Sequence, residues 1–459
     1  MPKISIKMKR RKFIKDSTII AGLSVATNGF TIGSGYFAKD KIRLGFIGVG
    51  ARGLGTLELA LLRKDVEVTA ICDIDPITMS KAVKAVEKAG QKKPQTYTDG
   101  PYAYKKLLEQ KDIDGVFICT PWEWHTPMSV DAMQAGKAVA CEVAGAMSID
   151  ECWQLVRTYE RTMTPFMILE NVCYRRDVMA VLNMARQGMF GEMIHLEGGY
   201  QHDLREVKFN DGVNYYGGGV EFGDMGYSEA RWRTTHSVFR NGDLYPTHGI
   251  GPVGSYINNN RGNRFEYLTS MASKSRGLRD YVKNHPKGGE DHPNAKINYR
   301  LGDVVTTNIM TANGETITLS HDTNLPRPYS LGFRVQGTKG IWMDVNKSLY
   351  IEGKSPAHKW ELAEPYLNEY DHPLWKKYAG DASGAGHGGM DWFVMNAFVE
   401  AYKRNEPMPL DVYDHASWAA ITCLSEQSIA QGGEPQVFPD FTDGKWMTRK
   451  PIFALDDSY

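Results

Sequence analysis

The spacing of three glycines and one aspartate is the feature of the sequence that most directly predicts a ligand-binding site. An apolar run at residues 42–48 ends in Gly48-x-Gly50-x-x-Gly53, and a helical pattern follows. Gly48 permits a tight turn, Gly50 allows a pyrophosphate to approach, and Gly53 lets the helix pack closely on the strand. A second apolar run ends at Asp73, 20 residues after Gly53, which is the spacing of a carboxylate that binds a ribose diol. The pattern predicts bound NAD rather than NADP, because a carboxylate repels a 2′-phosphate; a glycine-rich turn without a ligand is the alternative.

Five further residues have types and positions suited to proton transfer. Glu170 ends an apolar run, where a parallel sheet presents side chains to its crevice. Tyr245 and His248 lie three residues apart, so both would face one pocket if a helix starts there. Tyr200 has an ordinary pKa of about 10 and needs a cationic neighbour, such as Arg233, to act as a base. Packing roles for Tyr245 and His248, and a surface position for Arg233, are the alternatives.

A parallel sheet would position these residues, and apolar runs that alternate with helical patterns predict one. The runs lie at residues 42–48, 66–73, 115–120, 138–142 and 166–170. The helix after the third run is expected at residues 127–135. We therefore expect a Rossmann domain, a doubly wound α/β sheet, at residues 41–170.

Residues 171–459 predict a second domain of the α+β type, with an open and mostly antiparallel sheet. Six apolar runs between residues 265 and 351 are separated by turn pairs such as Asn313-Gly314. Two helical patterns, at residues 389–402 and 413–430, close the chain. One face of this domain should meet the nucleotide crevice.

The charge balance disfavours two classes of partner. Lys and Arg together number 54, as do Asp and Glu, so the formal net charge of the 459 residues is zero. Without a basic excess, we expect neither nucleic acid nor a membrane surface as a partner. The six cysteines show no CxxC or zinc spacing, and no third ligand accompanies His202 and Asp203. We expect buried free thiols and no metal.

Residues 1–40 are predicted to be an export signal and a linker. A basic stretch with Arg10-Arg11-x-Phe13-x-Lys15 precedes a mildly apolar run at residues 17–26, which is shorter than the roughly 18 residues of a membrane span. The arginine pair resembles a twin-arginine signal, a route that carries folded proteins and so suits a chain that binds a cytoplasmic cofactor. We expect a periplasmic location and no membrane span; a basic tail without signal function is the alternative.

The domain order, with Thr120-Pro121 closing the third run, resembles the glucose–fructose oxidoreductase/inositol dehydrogenase family. In that family, the strand that ends near residue 140 typically closes in Glu-Lys-Pro, and the lysine assists hydride chemistry at a sugar hydroxyl. This sequence has Cys141-Glu142-Val143-Ala144 instead, which disfavours an NAD-dependent sugar dehydrogenase, the alternative function. A sugar-binding or structural protein with a vestigial nucleotide site is a third interpretation, disfavoured by the complete glycine set and Asp73.

Longer motifs resemble glycoside hydrolase family 109, the NAD-dependent α-N-acetylgalactosaminidases, from about Lys41 to the end of the chain. They are PWEWH at residues 121–125, ENVCYRRD at 170–177, GGYQHDLR at 198–205, NGDLYPTHG at 241–249 and HDTNLPRPY at 321–329. The resemblance implies a glycosidase that removes terminal α-N-acetylgalactosamine from glycans with retention. Its steps are transient oxidation at carbon 3, elimination of the aglycone, water addition and re-reduction.

The same resemblance implies a homodimer and assigns site residues. It implies catalytic roles for Tyr200, His248, Glu170 and Tyr245. It implies substrate binding by Tyr200, Arg233, Tyr245, His248 and Tyr329. Together with the glycine pattern, it predicts NAD binding by Gly48, Gly50, Ala51, Arg52, Gly53, Asp73, Trp122, Trp124, His125, Glu142, Val143 and Asn171.

Overall fold

The structure is a computed structural model that describes residues 41–459. The predicted export signal at residues 1–40 lies outside the described residues and stays a prediction. Within residues 41–459, no helix combines the length and the apolar character needed to cross a membrane.

The first half of the fold is a six-stranded parallel sheet with the order β3-β2-β1-β4-β5-β6. Its strands are β1 Ile42–Ile47, β2 Val66–Cys72, β3 Gln95–Tyr97, β4 Gly115–Ile118, β5 Ala138–Cys141 and β6 Phe166–Ile168. Its helices are α1 Ala51–Leu61, α2 Pro76–Lys88, α3 Tyr104–Leu108, α4 Trp122–Gln134 and α5 Ile149–Thr162. The strand order reverses between β1 and β4, which opens a crevice at their carboxyl ends. The predicted Rossmann fold is confirmed.

The second half is built on a nine-stranded sheet with the order β14-β13-β12-β11-β7-β10-β9-β8-β15. Its strands are β7 Met193–Gln201, β8 Phe265–Ala272, β9 Val304–Thr311, β10 Thr316–Asp322, β11 Arg334–Gly337, β12 Gly340–Met343, β13 Ser348–Ile351, β14 Glu361–Leu362 and β15 Gln436–Val437. Only β7 and β10 pair in parallel among the described strands of this sheet, so the expectation of a mostly antiparallel sheet is confirmed.

The two helices predicted to close the chain are present at nearly the expected positions, as Met390–Arg404 and Val412–Ala430, and this half contains further helices. The helices of this half are α6 Arg176–Arg186, α7 Arg205–Lys208, α8 Arg233–Phe239, α9 Thr247–Tyr256, α10 Gly277–Asn284, α11 Glu364–Glu369, α12 Pro373–Ala382, α13 Met390–Arg404 and α14 Val412–Ala430. The 3₁₀ helices of the described chain are Asn171–Tyr174, Gly223–Met225, Ser228–Arg231, Pro293–Ala295, His387–Gly389 and Lys445–Met447.

Two features differ from the sequence expectation. The helix expected at residues 127–135 begins at Trp122, because Pro127 lies within α4 instead of starting it. The last helices return to the Rossmann half: α13 packs on α1, and α14 packs on both α5 and β8. The Nη2 atom of Arg63 pairs with Glu400 Oε1 at 2.6 Å across the first of these contacts. The domain boundaries at residues 170 and 171 therefore stay a prediction.

Helix α9 lies against β7 at backbone contact distance, because glycines face each other there. A Cβ atom added to Gly249 would lie 2.4 Å from the backbone nitrogen of Gly199, and one added to Gly198 would lie 2.7 Å from the oxygen of Gly249. Gly249 adjoins His248 on α9, and Gly199 adjoins Tyr200 on β7; both neighbours are predicted site residues. The ring centroids of these two residues are 5.3 Å apart. The close contact of the two backbones therefore positions both rings.

We expect Gly249→Ala to lower the free energy of unfolding by about 1–3 kcal/mol, because the added methyl group overpacks a backbone contact. Gly380→Ala is the matched control, since Gly380 also lies inside a helix and a Cβ there meets nothing within 4 Å. The control should be neutral or stabilising by up to about 1 kcal/mol. Urea unfolding followed by circular dichroism measures both, and equal stability of the two variants would contradict the packing account.

Candidate active site

A cavity of about 940 Å³ lies at the crevice of the first sheet and is closed by residues of the second half. This volume is typical of a site for a small molecule or cofactor. The predicted site residues that line it are Gly48, Gly50, Ala51, Arg52, Asp73, Trp122, Trp124, Glu142, Val143, Asn171, Tyr200, Arg233, Tyr245 and His248. The predicted residues outside its lining are Gly53, His125, Glu170 and Tyr329. The site roles themselves stay predictions, but the structure brings most of these residues to one cavity.

The turn after β1 has the features that a dinucleotide needs. Gly48 has φ +83, and a Cβ on Gly53 would lie 2.1 Å from the oxygen of Gly48, so this helix start tolerates only glycine. A Cβ on Gly50 would meet nothing within 4 Å, so the space above that residue is open to the cavity. Asp73 accepts the N–H of Val49 at 2.7 Å, which fixes its carboxylate beside the turn. Burial raises the pKa of this carboxyl group.

Arg52 connects three parts of the chain at the cavity wall. Its Nε donates to Glu142 Oε1 at 2.7 Å, and its Nη1 donates to Asp391 Oδ2 at 2.7 Å. Asn171 donates to the other oxygen of Asp391 at 2.6 Å. The Oδ1 atom of Asn171 is buried and has no hydrogen-bond partner among residues 41–459, so it is an acceptor for a ligand donor. The open glycine turn, Asp73 and this acceptor fit NAD.

Aromatic side chains form the wall between the nucleotide turn and the second half. The Arg233 guanidinium lies 5.2 Å from the ring centroid of Trp122 and 5.2 Å from that of Tyr245. Trp124 packs edge-on against Tyr102, with centroids 5.5 Å apart. His125 is buried behind this wall, where its Nε2 bonds the Thr120 carbonyl at 2.8 Å. His125 therefore holds the turn that presents the tryptophans and has no face on the cavity.

His248 and Glu170 form a buried pair across the two halves of the fold. The Nδ1 of His248 lies 2.8 and 2.9 Å from the two carboxylate oxygens of Glu170. Glu170 is fully buried and also accepts the N–H of Val172 at 3.1 Å. Nδ1 therefore carries the hydrogen and donates it in a hydrogen bond to the carboxylate, which leaves the lone pair on Nε2, the nitrogen suited to accept a proton. In this arrangement Glu170 positions His248 from behind the cavity.

Tyr200 lies among Tyr245, Arg233 and His202. Its ring centroid is 4.4 Å from that of Tyr245, and its hydroxyl lies 3.2 Å from His202 Nδ1. Burial raises the pKa of Tyr200, although Arg233 lowers it as the sequence predicts. The expected cationic neighbour is present, but burial outweighs its effect. Tyr200 is therefore held in its protonated form, as a hydrogen-bond donor.

Two predicted residues have positions that refine the sequence interpretation. Helix α9 begins at Thr247, so Tyr245 lies just before the helix, yet its ring still contacts His248 at a centroid distance of 4.9 Å. Tyr329 lies outside the cavity lining and is 47% exposed, with its ring 4.9 Å from that of His202. A contact between Tyr329 and a substrate, as predicted, would have to be made at the outer rim of the cavity.

The cavity also contains residues that the sequence reasoning missed. Asp391 is one, and hydrogen bonds from His387 and Arg52 lower its pKa even though burial raises it. Glu229 is another: it forms an ion pair with Arg233 four residues later on the chain, a helical spacing that the sequence could have shown. No local signal links Asp391 to Arg52, because 339 residues separate them. Within residues 41–459, no group of three or more His, Cys, Asp or Glu side chains could hold a metal ion.

Sequence comparisons match the two halves to two families. The profile of the glycosyl hydrolase 109 C-terminal domain matches residues 174–448, and that of an oxidoreductase family with an NAD-binding Rossmann fold matches residues 42–169. A glycosyl hydrolase family 109 protein of Stenotrophomonas maltophilia (strain K279a) is 56% identical over 456 residues, which are 98% of this chain and 99% of the relative. An alpha-N-acetylgalactosaminidase of Tannerella forsythia is 49% identical over 466 residues, with 97% and 99% coverage.

Solved structures share the fold at low sequence identity. Levoglucosan dehydrogenase in complex with NADH and levoglucosan has a TM-score of 0.60 at 18% identity, over 87% of this chain and all of that one. A putative myo-inositol dehydrogenase from Sinorhizobium meliloti 1021 has a TM-score of 0.57 at 15% identity, with the same coverage. At these identities the likeness shows the fold alone.

Proposed function

The chain belongs to glycosyl hydrolase family 109, and from this premise we propose that it hydrolyses terminal α-N-acetylgalactosamine from glycans with NAD as a bound cofactor. It is thus a glycoside hydrolase with an NAD-binding Rossmann domain. The sugar is proposed from the name of the Tannerella forsythia relative. The observation that carries the mechanism is the contact of the buried Glu170 with His248, which lies beside Tyr200. His248 and Tyr200 line the same cavity as Asp73.

NAD held by the glycine turn, Asp73 and Asn171 would supply reversible oxidation of the sugar hydroxyl at carbon 3, which acidifies the proton on carbon 2. Loss of that proton expels the aglycone from carbon 1. The aglycone leaves with a proton from solvent or from a protonated side chain. Water then adds at carbon 1, a proton returns to carbon 2, and the return of the hydride to carbon 3 would restore the hydroxyl there. The bond to the aglycone is thereby replaced by a hydroxyl with retained configuration. NAD-dependent glycosidases of this kind need no second catalytic carboxylate.

The residues of the chain then have distinct roles in proton transfer. His248 accepts a proton at Nε2, because Glu170 accepts a hydrogen bond from Nδ1–H and stabilises the imidazolium that forms. Tyr200 keeps its own proton and donates a hydrogen bond to a sugar oxygen that gains negative charge. Arg233 adds positive charge beside that hydroxyl, and Glu229 fixes its guanidinium by an ion pair. Tyr245 packs against the rings of Tyr200 and His248 and holds them beside each other.

We further propose export by the twin-arginine route and a homodimer. The first rests on the Arg10-Arg11-x-Phe13-x-Lys15 pattern, and the second rests on the family resemblance together with the presence of the nine-stranded sheet expected in the second half. Export of a folded chain suits a cofactor that is regenerated in every turnover, since the cofactor can travel with the enzyme.

We expect the purified protein to hydrolyse p-nitrophenyl α-N-acetylgalactosaminide through many turnovers with no added NAD. Nitrophenol should appear without net NADH absorbance, because oxidation at carbon 3 is reversed within each turnover. The p-nitrophenyl α-galactoside serves as the comparison that measures the preference for the N-acetyl group. A single burst of NADH, no larger than the amount of bound cofactor and without nitrophenol, would instead indicate a dehydrogenase.

Tyr200→Phe and His248→Ala should each lower kcat by roughly 10²–10⁴, the usual contribution of a placed acid or base. Their NAD content should equal that of the parent, since neither residue lies at the nucleotide turn. Tyr256→Phe is the matched control: Tyr256 is a buried tyrosine of α9 whose hydroxyl donates to the Val178 carbonyl at 3.1 Å, outside the cavity. Its kcat should be unchanged. A His248→Ala protein with parental kcat and NAD content would show that His248 only packs.

Glu170 acts through His248, so its variant needs a different readout. Glu170→Gln should lower kcat and also move the pH–rate profile toward acid, because a neutral amide stabilises an imidazolium less than a carboxylate does. A fall in activity with an unmoved pH profile would assign Glu170 a structural role alone.

A further inference from the structure

A segment of the second half, residues 210–227, reaches the nucleotide side of the cavity. Tyr215 and Tyr227 from this segment line the cavity together with Asp73 and Asp75. The Tyr227 hydroxyl donates to Asp75 Oδ2 at 3.4 Å, two residues beyond the carboxylate predicted to bind the ribose. The Lys81 ammonium lies 5.4 Å from the centroid of the Tyr215 ring. The segment therefore bridges from the second half to the start of α2.

A single buried asparagine fixes the positions of both tyrosines. Asn210 is fully buried, and its Oδ1 accepts the N–H groups of Gly212 at 3.0 Å and Tyr227 at 3.1 Å. Its Nδ2 donates to the carbonyl of Tyr227 at 2.7 Å and to that of Tyr215 at 3.3 Å. The two rings lie 5.2 Å apart as a result. The hydrogen bonds of Asn210 thus hold the tyrosines as one unit.

The position of this unit identifies what it would cover. In a Rossmann fold the pyrophosphate lies at the glycine turn, and the acid at the end of the second strand binds the adenosine ribose. Asp73 is that acid here, so the adenosine half of a dinucleotide lies beside Asp75 and the two tyrosines. Tyrosine side chains are suited to bind adenosine, because their rings can stack on the purine and their hydroxyl groups can hydrogen-bond the ribose.

We propose that Tyr215, Tyr227 and Asp75 form a clasp over the adenosine half of NAD and keep the cofactor bound between turnovers. The proposal rests on the proposed function, in which NAD is regenerated in each turnover and does not need to dissociate. A dehydrogenase, by contrast, must release its reduced cofactor. The clasp is therefore a feature that adapts a Rossmann site to a resident cofactor.

The test is the rate at which bound NAD exchanges with a large excess of deuterium-labelled NAD. Holoprotein is sampled over time by rapid gel filtration, and the retained nucleotide is measured by mass spectrometry. The Tyr215→Ala/Tyr227→Ala variant should exchange NAD roughly tenfold faster than the parent, or more, since each lost stacking contact weakens binding. Tyr227→Phe removes only the hydroxyl that meets Asp75, keeps the ring, and should give a smaller increase.

Val213→Ala is the control, because Val213 lies in the same segment, is exposed and does not line the cavity. Its exchange rate should equal that of the parent. Equal exchange rates for the parent, the double variant and Tyr227→Phe, all loaded with NAD, would overturn the clasp and leave the proposed function standing. A parent that neither contains nor takes up NAD would overturn both.

Discussion

A fully buried carboxylate is stable only when it accepts hydrogen bonds, and Glu170 accepts them from His248 and from the backbone N–H of Val172. An unpaired carboxylate at this depth would cost several kcal/mol, so the pair constrains how the two halves of the fold meet. The close contact between the glycines of α9 and β7 adds a second constraint, because it fixes His248 on α9 relative to Tyr200 on β7. Together they place the Nε2 of His248 and the hydroxyl of Tyr200 at one cavity wall.

The cavity wall around Arg52, next to the glycine turn, also depends on contacts between residues that are far apart in the chain. Arg52 would be an unpaired, partly buried cation without Glu142 and Asp391, which raise its pKa although burial lowers it. Asp391 comes from α13, a helix that follows the second sheet in the chain and returns to pack on α1. The proposed cofactor site therefore includes residues from both halves of the fold, and it lies in the same cavity as the proposed substrate residues.

Sequence reasoning found the parts of the site that depend on local patterns. The glycine turn, Asp73 and the Tyr245–His248 pair are each recognisable within a few residues or one strand–helix unit, and the structure brings all of them to the cavity. Contacts between distant segments were missed, such as Asp391 on Arg52 and the parallel pairing of β7 with β10. The pKa of Tyr200 could not be predicted either, because burial outweighs Arg233 and burial depends on the folded environment.

The central claim is that catalysis proceeds through removal and return of the proton on carbon 2 of the sugar. Turnover in D₂O tests it most directly, with the released sugar examined by mass spectrometry and proton NMR. We expect deuterium at carbon 2 of the product, because in the proposed mechanism the proton taken up by His248 exchanges with solvent before a proton returns. Product that carries only protium at carbon 2 would contradict the elimination route and favour direct displacement at carbon 1.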